Sequence, residues 1–438
     1  MNHNELAANP RLIDASGRSS LNDARRVVIA AAIGNTLEWY DFLVYGLLAL
    51  TIAKLFFPVG SELTSLLLSF ATFGVGLVMR PIGALVLGIY ADRVGRKAAL
   101  TLTIFIMALG TGLIAVAPTY EAIGIGAPLL IVLARLLQGF SCGGEVGGAT
   151  AILVESAPEG RRGFYAGWQN AGQPAGFLLA AVVAMVVTLS MTPAQIESGG
   201  WRWPFALGLL IAPVGLYIRS KLDDPAVFLK ARGEAGVAAI ADTLRREGRA
   251  MLIASGVSLL YVVSAYVLFV YMPTFAVRQL QLPFTGALFA NAVANCFVFA
   301  FTPVTAAISD RFGRKPMLQI ATLGYLLLTY PAFAVIALWP SLALLTAVQS
   351  GFAVLMAIYG GAVISVLAEL FPTSVRSTAV GLVYNLVAII GGFAPAVVTW
   401  LMAATGDARA PAFYVIAAAI VSGSARFWLR DRYAEPLR

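Results

Sequence analysis

ADRVGRK, residues 91–97, returns as SDRFGRK at residues 309–315, an offset of 218 in a chain of 438 residues. A second pair, ESAPEGRRGFYAG at 155–167 and ELFPTSVRSTAVG at 369–381, repeats at an offset of 214. Within it Glu155, Pro158, Arg162 and Gly167 fall on Glu369, Pro372, Arg376 and Gly381. Two motifs in the same order at nearly equal spacing mark a duplicated unit. The charged segment 220–249, KLDDPAVFLKARGEAGVAAIADTLRREGRA, divides the two copies.

The composition says what the unit is made of. Hydrophobic residues make up 59% of the chain and charged residues 12%, with a mean hydropathy of +0.83. Soluble domains carry about 25% charged residues, so this is an integral membrane protein. Apolar runs of roughly 20 residues are expected to be spans at about 27–53, 63–89, 98–117, 126–154, 163–189, 201–219, 250–273, 283–308, 316–337, 341–367, 377–403 and 410–430. The expected architecture is all-α: a tail at 1–26, a bundle at 27–219, a central loop at 220–249, a second bundle at 250–430 and a tail at 431–438.

The net charge of +8 belongs to topology rather than to nucleic acid. Lys and Arg concentrate in both tails and in alternate loops. The opposite loops carry only Lys54, Arg202, Arg278 and Arg409, and Arg80 and Arg135 lie inside spans. That asymmetry is the positive-inside pattern and places both termini in the cytoplasm. The polar first 26 residues lack the apolar core of a cleaved signal peptide. Cys142 and Cys296 fall within spans as small packing residues rather than as a disulfide or metal pair. The one histidine, His3, is in the tail, so a proton handled within the membrane must use carboxylates. No Gly-x-x-x-x-Gly-Lys-Ser/Thr sequence is present, which points away from ATP and towards gradient-driven or passive movement.

A charge near the bilayer centre costs at least ~2.5 kcal/mol, so each intramembrane ion calls for a partner or a water-lined cavity. In GNTLEWYDFLVYG, residues 34–46, Asn35, Glu38, Asp41 or Phe42, and Tyr45 recur at helical spacing; in the fourth span Arg135, Gln138, Cys142 and Glu145 do the same. Arg80 lies about ten residues before the 91–97 loop, ~15 Å deep. Two arginines are thus expected to meet three acids, all in the first copy; Val298 stands where the repeat would put a second Arg80. A guanidinium grips carboxylates bidentately, which makes Arg80 and Arg135 substrate-binding candidates, joined by Gln138, Gln169, Gln173, Tyr359 and Asn385. Desolvation disfavours a charged carboxylate, which makes Glu38, Asp41 and Glu145 candidates for proton coupling, Glu38 first because it stands nearest the midplane. Buried structural ion pairs are the competing role. Gly139, Gly143 and Gly147 form a small-residue stripe expected to serve helix packing.

GIYADRVGRK at 88–97 resembles the loop motif Gly-x-x-x-Asp-Arg-x-Gly-Arg-Lys of the major facilitator superfamily, and RLLQG at 135–139 its fourth-helix motif Arg-x-x-Gln-Gly. The strings VMRPIGALVLG, RLLQGFSCGGE, GWRWPFALG and AELFPTSVR resemble the metabolite:H+ symporter family, and residues 66–97 are most similar to its citrate and tricarballylate carriers. The resemblance, over about 27–430, implies twelve helices in two pseudo-symmetric bundles of a bacterial inner membrane. It implies alternating access and proton symport, by uptake, of a small organic acid, citrate or a related tricarboxylate. It also implies gating by Asp92, Arg96, Asp310 and Arg314, which latch the cytoplasmic side. Within the same family α-ketoglutarate or another dicarboxylate, shikimate, and zwitterions such as proline or betaine are alternatives; a non-transporting sensor on the same scaffold is the alternative of another class. No enzyme activity, cofactor, metal, nucleic acid or oligomeric partner is called for; the partners are the organic acid, the proton and the bilayer. Where citrate carriers are polar after GWQ, this chain has NAGQPAG, and where they carry Tyr-Asn-Gly it has Tyr359-Gly360-Gly361. Fewer donors imply a smaller or less hydroxylated acid.

Overall fold

The computed structural model describes residues 21–94, 96–143, 150, 154, 157, 160–209, 213, 237–373 and 375–435, with the side chains of 21–32, 91–93, 96, 97, 100, 169 and 237–244 outside that description. Its helices are α1 (Leu21–Leu47), α2 (Ala49–Phe56), α3 (Glu62–Val94), α4 (Arg96–Val116), α5 (Tyr120–Ile123), α6 (Gly126–Cys142), α7 (Arg162–Ser190) and α8 (Pro193–Ser198) in the first half. The second half holds α9 (Val237–Ala265), α10 (Met272–Arg278), α11 (Phe284–Phe312), α12 (Arg314–Leu338), α13 (Leu342–Leu370), α14 (Arg376–Thr405) and α15 (Ala410–Trp428). Helix is forced here because a backbone in lipid must bond within its own segment. Among the described residues 8 helices are long and apolar enough to cross a membrane, and α1 with α2 makes a bent ninth. The helical segments Thr101–Val116 and Gly126–Cys142 are shorter apolar spans, and the expected sixth span is described as helix over 203–209 and at 213.

Three expectations change. The first span is not straight: it breaks at Leu48, and its two parts meet at 61°. The helix of the seventh span is already formed at Val237, inside the segment expected to be loop. The seventh span is also interrupted by a π-helical turn at Tyr266–Tyr271. Pro273, just beyond that turn, lacks the N–H that Phe269 four residues earlier would receive. The carbonyl of Phe269 takes a hydrogen bond from Asn291 instead, and that of Leu268 takes one from Gln349 at 2.8 Å. The periodicity of apolar residues carries no trace of this, because a π turn shifts register without altering composition.

The halves meet along two seams, α3 against α14 and α7 against α11. Within the first half α1 packs on α7 and α3 on α6. The α3–α6 contact is backbone to backbone: a Cβ on Gly139 would stand 1.5 Å from the Gly76 carbonyl oxygen, and one on Gly143 2.0 Å from that of Arg80. Two glycines of the expected stripe thus serve packing, while Gly147 lies outside the described residues. This close approach sets the backbones that carry Arg80 and Arg135 directly against each other's helices.

Gly139→Ala should lower the stability of the detergent-solubilised protein by ~3 kcal/mol, because neither backbone can give way. Gly88→Ala, where nothing lies within 4 Å of the added carbon, should be neutral; thermal unfolding followed by size-exclusion recovery checks both.

Candidate functional site

Arg80 and Arg135 are 1% and 0% exposed. Arg80 is preceded by the face of α3 that packs on α6 and followed by Pro81, and its guanidinium reaches α1, where Nη2 lies 3.6 Å from Oε1 of Glu38. Its carbon Cζ also stands 5.3 Å from the ring of Trp39 and 5.8 Å from that of Tyr384, which belongs to α14 of the other half. A desolvated cation on an aromatic face gains about 2 kcal/mol, so this arginine is held by one carboxylate and two rings.

Arg135 is held differently. Its Nη1 donates to Gln138 Oε1 at 2.7 Å and to the Phe42 carbonyl at 3.3 Å. Gln138 Nε2 donates onward to Thr111 Oγ1 at 2.9 Å. The guanidinium is caged by Phe42, Tyr45 and Phe73, with Cζ 3.9, 4.7 and 4.9 Å from the ring centroids. Among the described residues Arg135 Nε and Nη2 and Arg80 Nε have no hydrogen-bond acceptor.

The expectation that two arginines meet three acids is corrected. Glu38 meets Arg80, but Asp41, although 6% exposed, forms no ion pair among the described residues, and its Oδ1 has no hydrogen-bond donor. Three residues further along the helix, Asp41 is rotated by about 300°, or 60° short of a full turn. Its Oδ1 abuts Gly208, where a Cβ would stand 2.1 Å from it and 3.1 Å from Thr111 Cγ2. Glu145 lies outside the described residues, as do the side chains of Gln169, Asp92 and Arg96.

The remaining candidates sit at the contact between halves. Gln173 Oε1 and Asn170 Oδ1, both on α7, lie 3.2 and 3.0 Å from the Tyr261 hydroxyl on α9, and Asn170 Nδ2 donates to the Gly360 carbonyl at 2.9 Å. Position 360 must be glycine here, because a Cβ would stand 2.8 Å from Asn170 Nδ2 and 2.9 Å from Tyr261 Cε2. Asn170 of the fifth span thus bonds the backbone of the tenth at the position where that span has no amide of its own. Asn385 Nδ2 donates across to the Gly143 carbonyl at 2.9 Å. Tyr359 turns away, its hydroxyl donating to the Val257 carbonyl at 2.6 Å.

Towards the end that carries the chain terminus, Asp310 and Arg314 form a clasp. Arg314, 1% exposed, donates from Nη2 to Asp310 Oδ1 and Glu369 Oε1, both at 2.8 Å, and from Nη1 to Ser309 Oγ at 2.5 Å. Asp310 in turn accepts the backbone N–H of Gly163 at 2.7 Å and of Phe164 at 2.9 Å, the first turn of α7. A carboxylate at a helix N-terminus satisfies free N–H groups and the dipole together. Asp310 thereby ties the second half to the first. Chain residues beyond α15 add to it: Asp431 Oδ2 accepts the Lys315 N–H at 2.9 Å, and Arg162 Nη1 donates to the Glu435 carbonyl at 2.8 Å. Glu369 was legible only as the repeat partner of Glu155, and its pairing with Arg314 has no local signal. At the opposite end Glu62 and Arg278 pair at 3.1 Å and Phe70 meets Tyr271 at 5.7 Å. The halves therefore touch on both sides of the arginines.

Buried arginines thus lie beside the contact between two helical bundles. Residues 27–248 match the family described as Sugar (and other) transporter, and residues 292–438 that described as Major Facilitator Superfamily. The citrate-proton symporter of Klebsiella pneumoniae is 38% identical over 412 residues, spanning 94% of this chain and 93% of its own. The proline/betaine transporter of Escherichia coli (strain K12) is 31% identical over 426 residues, spanning 94% and 85%. In fold, the proton:xylose symporter XylE bound to 6-bromo-6-deoxy-D-glucose superposes with a TM-score of 0.75 over 94% of this chain and 97% of that one, at 20% identity. The chain belongs to the major facilitator superfamily and, within it, to the metabolite:H+ symporter family that the sequence motifs resemble.

Glu369→Gln leaves Arg314 with one carboxylate in place of two, a change on the order of 3 kcal/mol for a buried pair. In a Cys142→Ser/Cys296→Ser background, a cysteine replacing Thr302, buried beside Gly167 at the α7–α11 seam, should then react with maleimide at least tenfold faster. An unchanged rate would mean that the clasp does not hold the seam.

Proposed function

We propose that the protein is a proton-coupled symporter that takes up a small organic acid, citrate or a related tricarboxylate, across a bacterial inner membrane with both termini in the cytoplasm. The observation that carries this is the set of buried guanidinium N–H groups on Arg80 and Arg135 with no acceptor among the described residues. Unmet donors on two permanent cations suit a ligand that is anionic and accepts only, which is a carboxylate. Two arginines suit more than one carboxylate. The citrate-proton symporters among the relatives support the same substrate class. Proline and betaine carriers are also relatives, but a quaternary ammonium needs open aromatic faces. Here the faces of Trp39 and Tyr384 cover Arg80, and those of Phe42, Tyr45 and Phe73 cover Arg135.

Coupling follows from competition. Glu38 and a substrate carboxylate seek the same partner, Arg80. A proton on Glu38 releases the guanidinium for substrate, and loss of that proton after substrate departs restores the pair, so neither ligand binds well without the other. Asp41, buried and without a cation among the described residues, is costly while charged and provides a second proton site next to Thr111. The bundles then rock about the bound pair. The Asp310–Arg314–Glu369 clasp closes the cytoplasmic side, and Asp92 and Arg96 take the corresponding role in the first half.

Glu38→Gln removes the competitor. With binding expressed per citrate trianion, the affinity of the variant should vary less between about pH 5 and 8 than that of the wild type, which falls as pH rises because deprotonated Glu38 reclaims Arg80. In vesicles the variant should lose uphill accumulation driven by a proton gradient yet retain counterflow. Loss of both activities would make Glu38 a structural residue, and retention of both would move coupling to Asp41 or Glu145. Arg80→Lys should weaken citrate at least tenfold, about 1.4 kcal/mol, read as a reduced thermal shift against a panel of citrate, α-ketoglutarate, shikimate and betaine.

A further inference from the structure

Both arginines belong to the first half, so they can hold a ligand without involving the second, and a carrier in which only one bundle grips its cargo has no reason to close around it. Tyr266 is the second half's candidate for this task, because it packs on the Phe73 ring that walls Arg135. It opens the π-helical turn Tyr266–Tyr271, is 1% exposed, and among the described residues its hydroxyl has no hydrogen-bond partner. A buried, unbonded hydroxyl is costly, and tyrosine hydroxyls ordinarily find a partner when buried.

The position of the ring is well determined. Its edge meets Phe73 with centroids 5.7 Å apart, and Phe73 is itself one wall of the Arg135 cage at 4.9 Å. On its other side stands Gly391 of α14, where a Cβ would be 2.6 Å from Tyr266 Cδ2 and 2.9 Å from Cε2. Glycine there leaves room for this ring and for nothing larger on α14. The π turn that begins at this residue is stabilised by Asn291 and Gln349, which donate to its carbonyls at 269 and 268.

We propose that the Tyr266 hydroxyl is the second bundle's hydrogen-bond donor to the carboxylate ligand held by Arg80 and Arg135, and so the residue through which substrate draws the two bundles together. The proposal rests on the carboxylate reading above. Its chemistry is consistent with it: a phenolic O–H donates to a carboxylate oxygen in a short, charge-assisted bond, and a ligand with two or more carboxylates spans from the first bundle to the second. A zwitterion with a single carboxylate, already held by the arginines, makes less use of it.

The test compares purified wild-type protein with Tyr266→Phe, which removes one oxygen and keeps the ring against Phe73 and Gly391. Three quantities are read: the melting temperature without ligand, the equilibrium binding of radiolabelled citrate, and citrate counterflow in proteoliposomes. Because the hydroxyl makes no hydrogen bond among the described residues, the ligand-free melting temperature should stay the same or rise. Citrate Kd should weaken five- to twentyfold, and counterflow at saturating citrate should slow at least fivefold because closure loses its second-bundle contact. A Kd within twofold of wild type overturns the assignment. So does a lower ligand-free melting temperature accompanying the loss, since that would make the hydroxyl a support of the fold. Wild-type protein that binds neither citrate nor any other di- or tricarboxylate overturns the substrate reading and this assignment together, whereas wild-type binding with an unaffected variant overturns this assignment alone.

Discussion

Two guanidiniums at bilayer depth govern the rest of the structure. A permanent cation removed from water is expensive, and neither Arg80 nor Arg135 can shed its charge. The first half is arranged around that cost. Glycines at 139 and 143 let α6, which carries Arg135, lie directly on the backbone of α3, which carries Arg80. Glu38 supplies one opposite charge. Five aromatic rings, four from the first half and Tyr384 from the second, supply the remaining surface. Among the described residues Arg80 Nε and Arg135 Nε and Nη2 still have no acceptor, whereas most buried donors are met within a protein.

The Asp310–Arg314–Glu369 clasp shows the contrast. There Arg314 has two carboxylates and a serine hydroxyl, and Asp310 has two backbone donors besides. Each partner is used, and the result is a joint between halves rather than a receptor. Gly163 permits it, since a Cβ at that position would stand 2.6 Å from Arg314 Nη1 and 2.7 Å from Asp310 Oδ1. The cluster at the seam has its partners within the protein, whereas the one in the centre keeps N–H groups without an acceptor among the described residues.

Much of this was legible in the chain before folding. The repeat of ADRVGRK as SDRFGRK, the apolar runs and the polarity of the loops are local and periodic, and bilayer thickness with the need to satisfy backbone groups turns them into two bundles of spans. The pairing of Glu38 with Arg80 was also within reach, because intramembrane charges are few and must find one another. Other features had no local signature. Glu369 pairs across 55 positions with Arg314, and Asn170 bonds the backbone of the tenth span at Gly360. The break at Leu48 and the π turn at Tyr266–Tyr271 occur in stretches with ordinary helix-forming composition.

The sequence by itself determined the class of environment, the duplication, the family and which ionisable residues had to lie within the membrane, because each of these depends on residue type and spacing along one helix. Only the tertiary structure decided which charges meet. Glu38 and Asp41 are three residues apart on one helix, yet one faces a guanidinium and the other faces Gly208 and Thr111. That difference is set by how α1 is rotated against its neighbours, and rotation is fixed by the packing of side chains contributed by helices hundreds of residues apart.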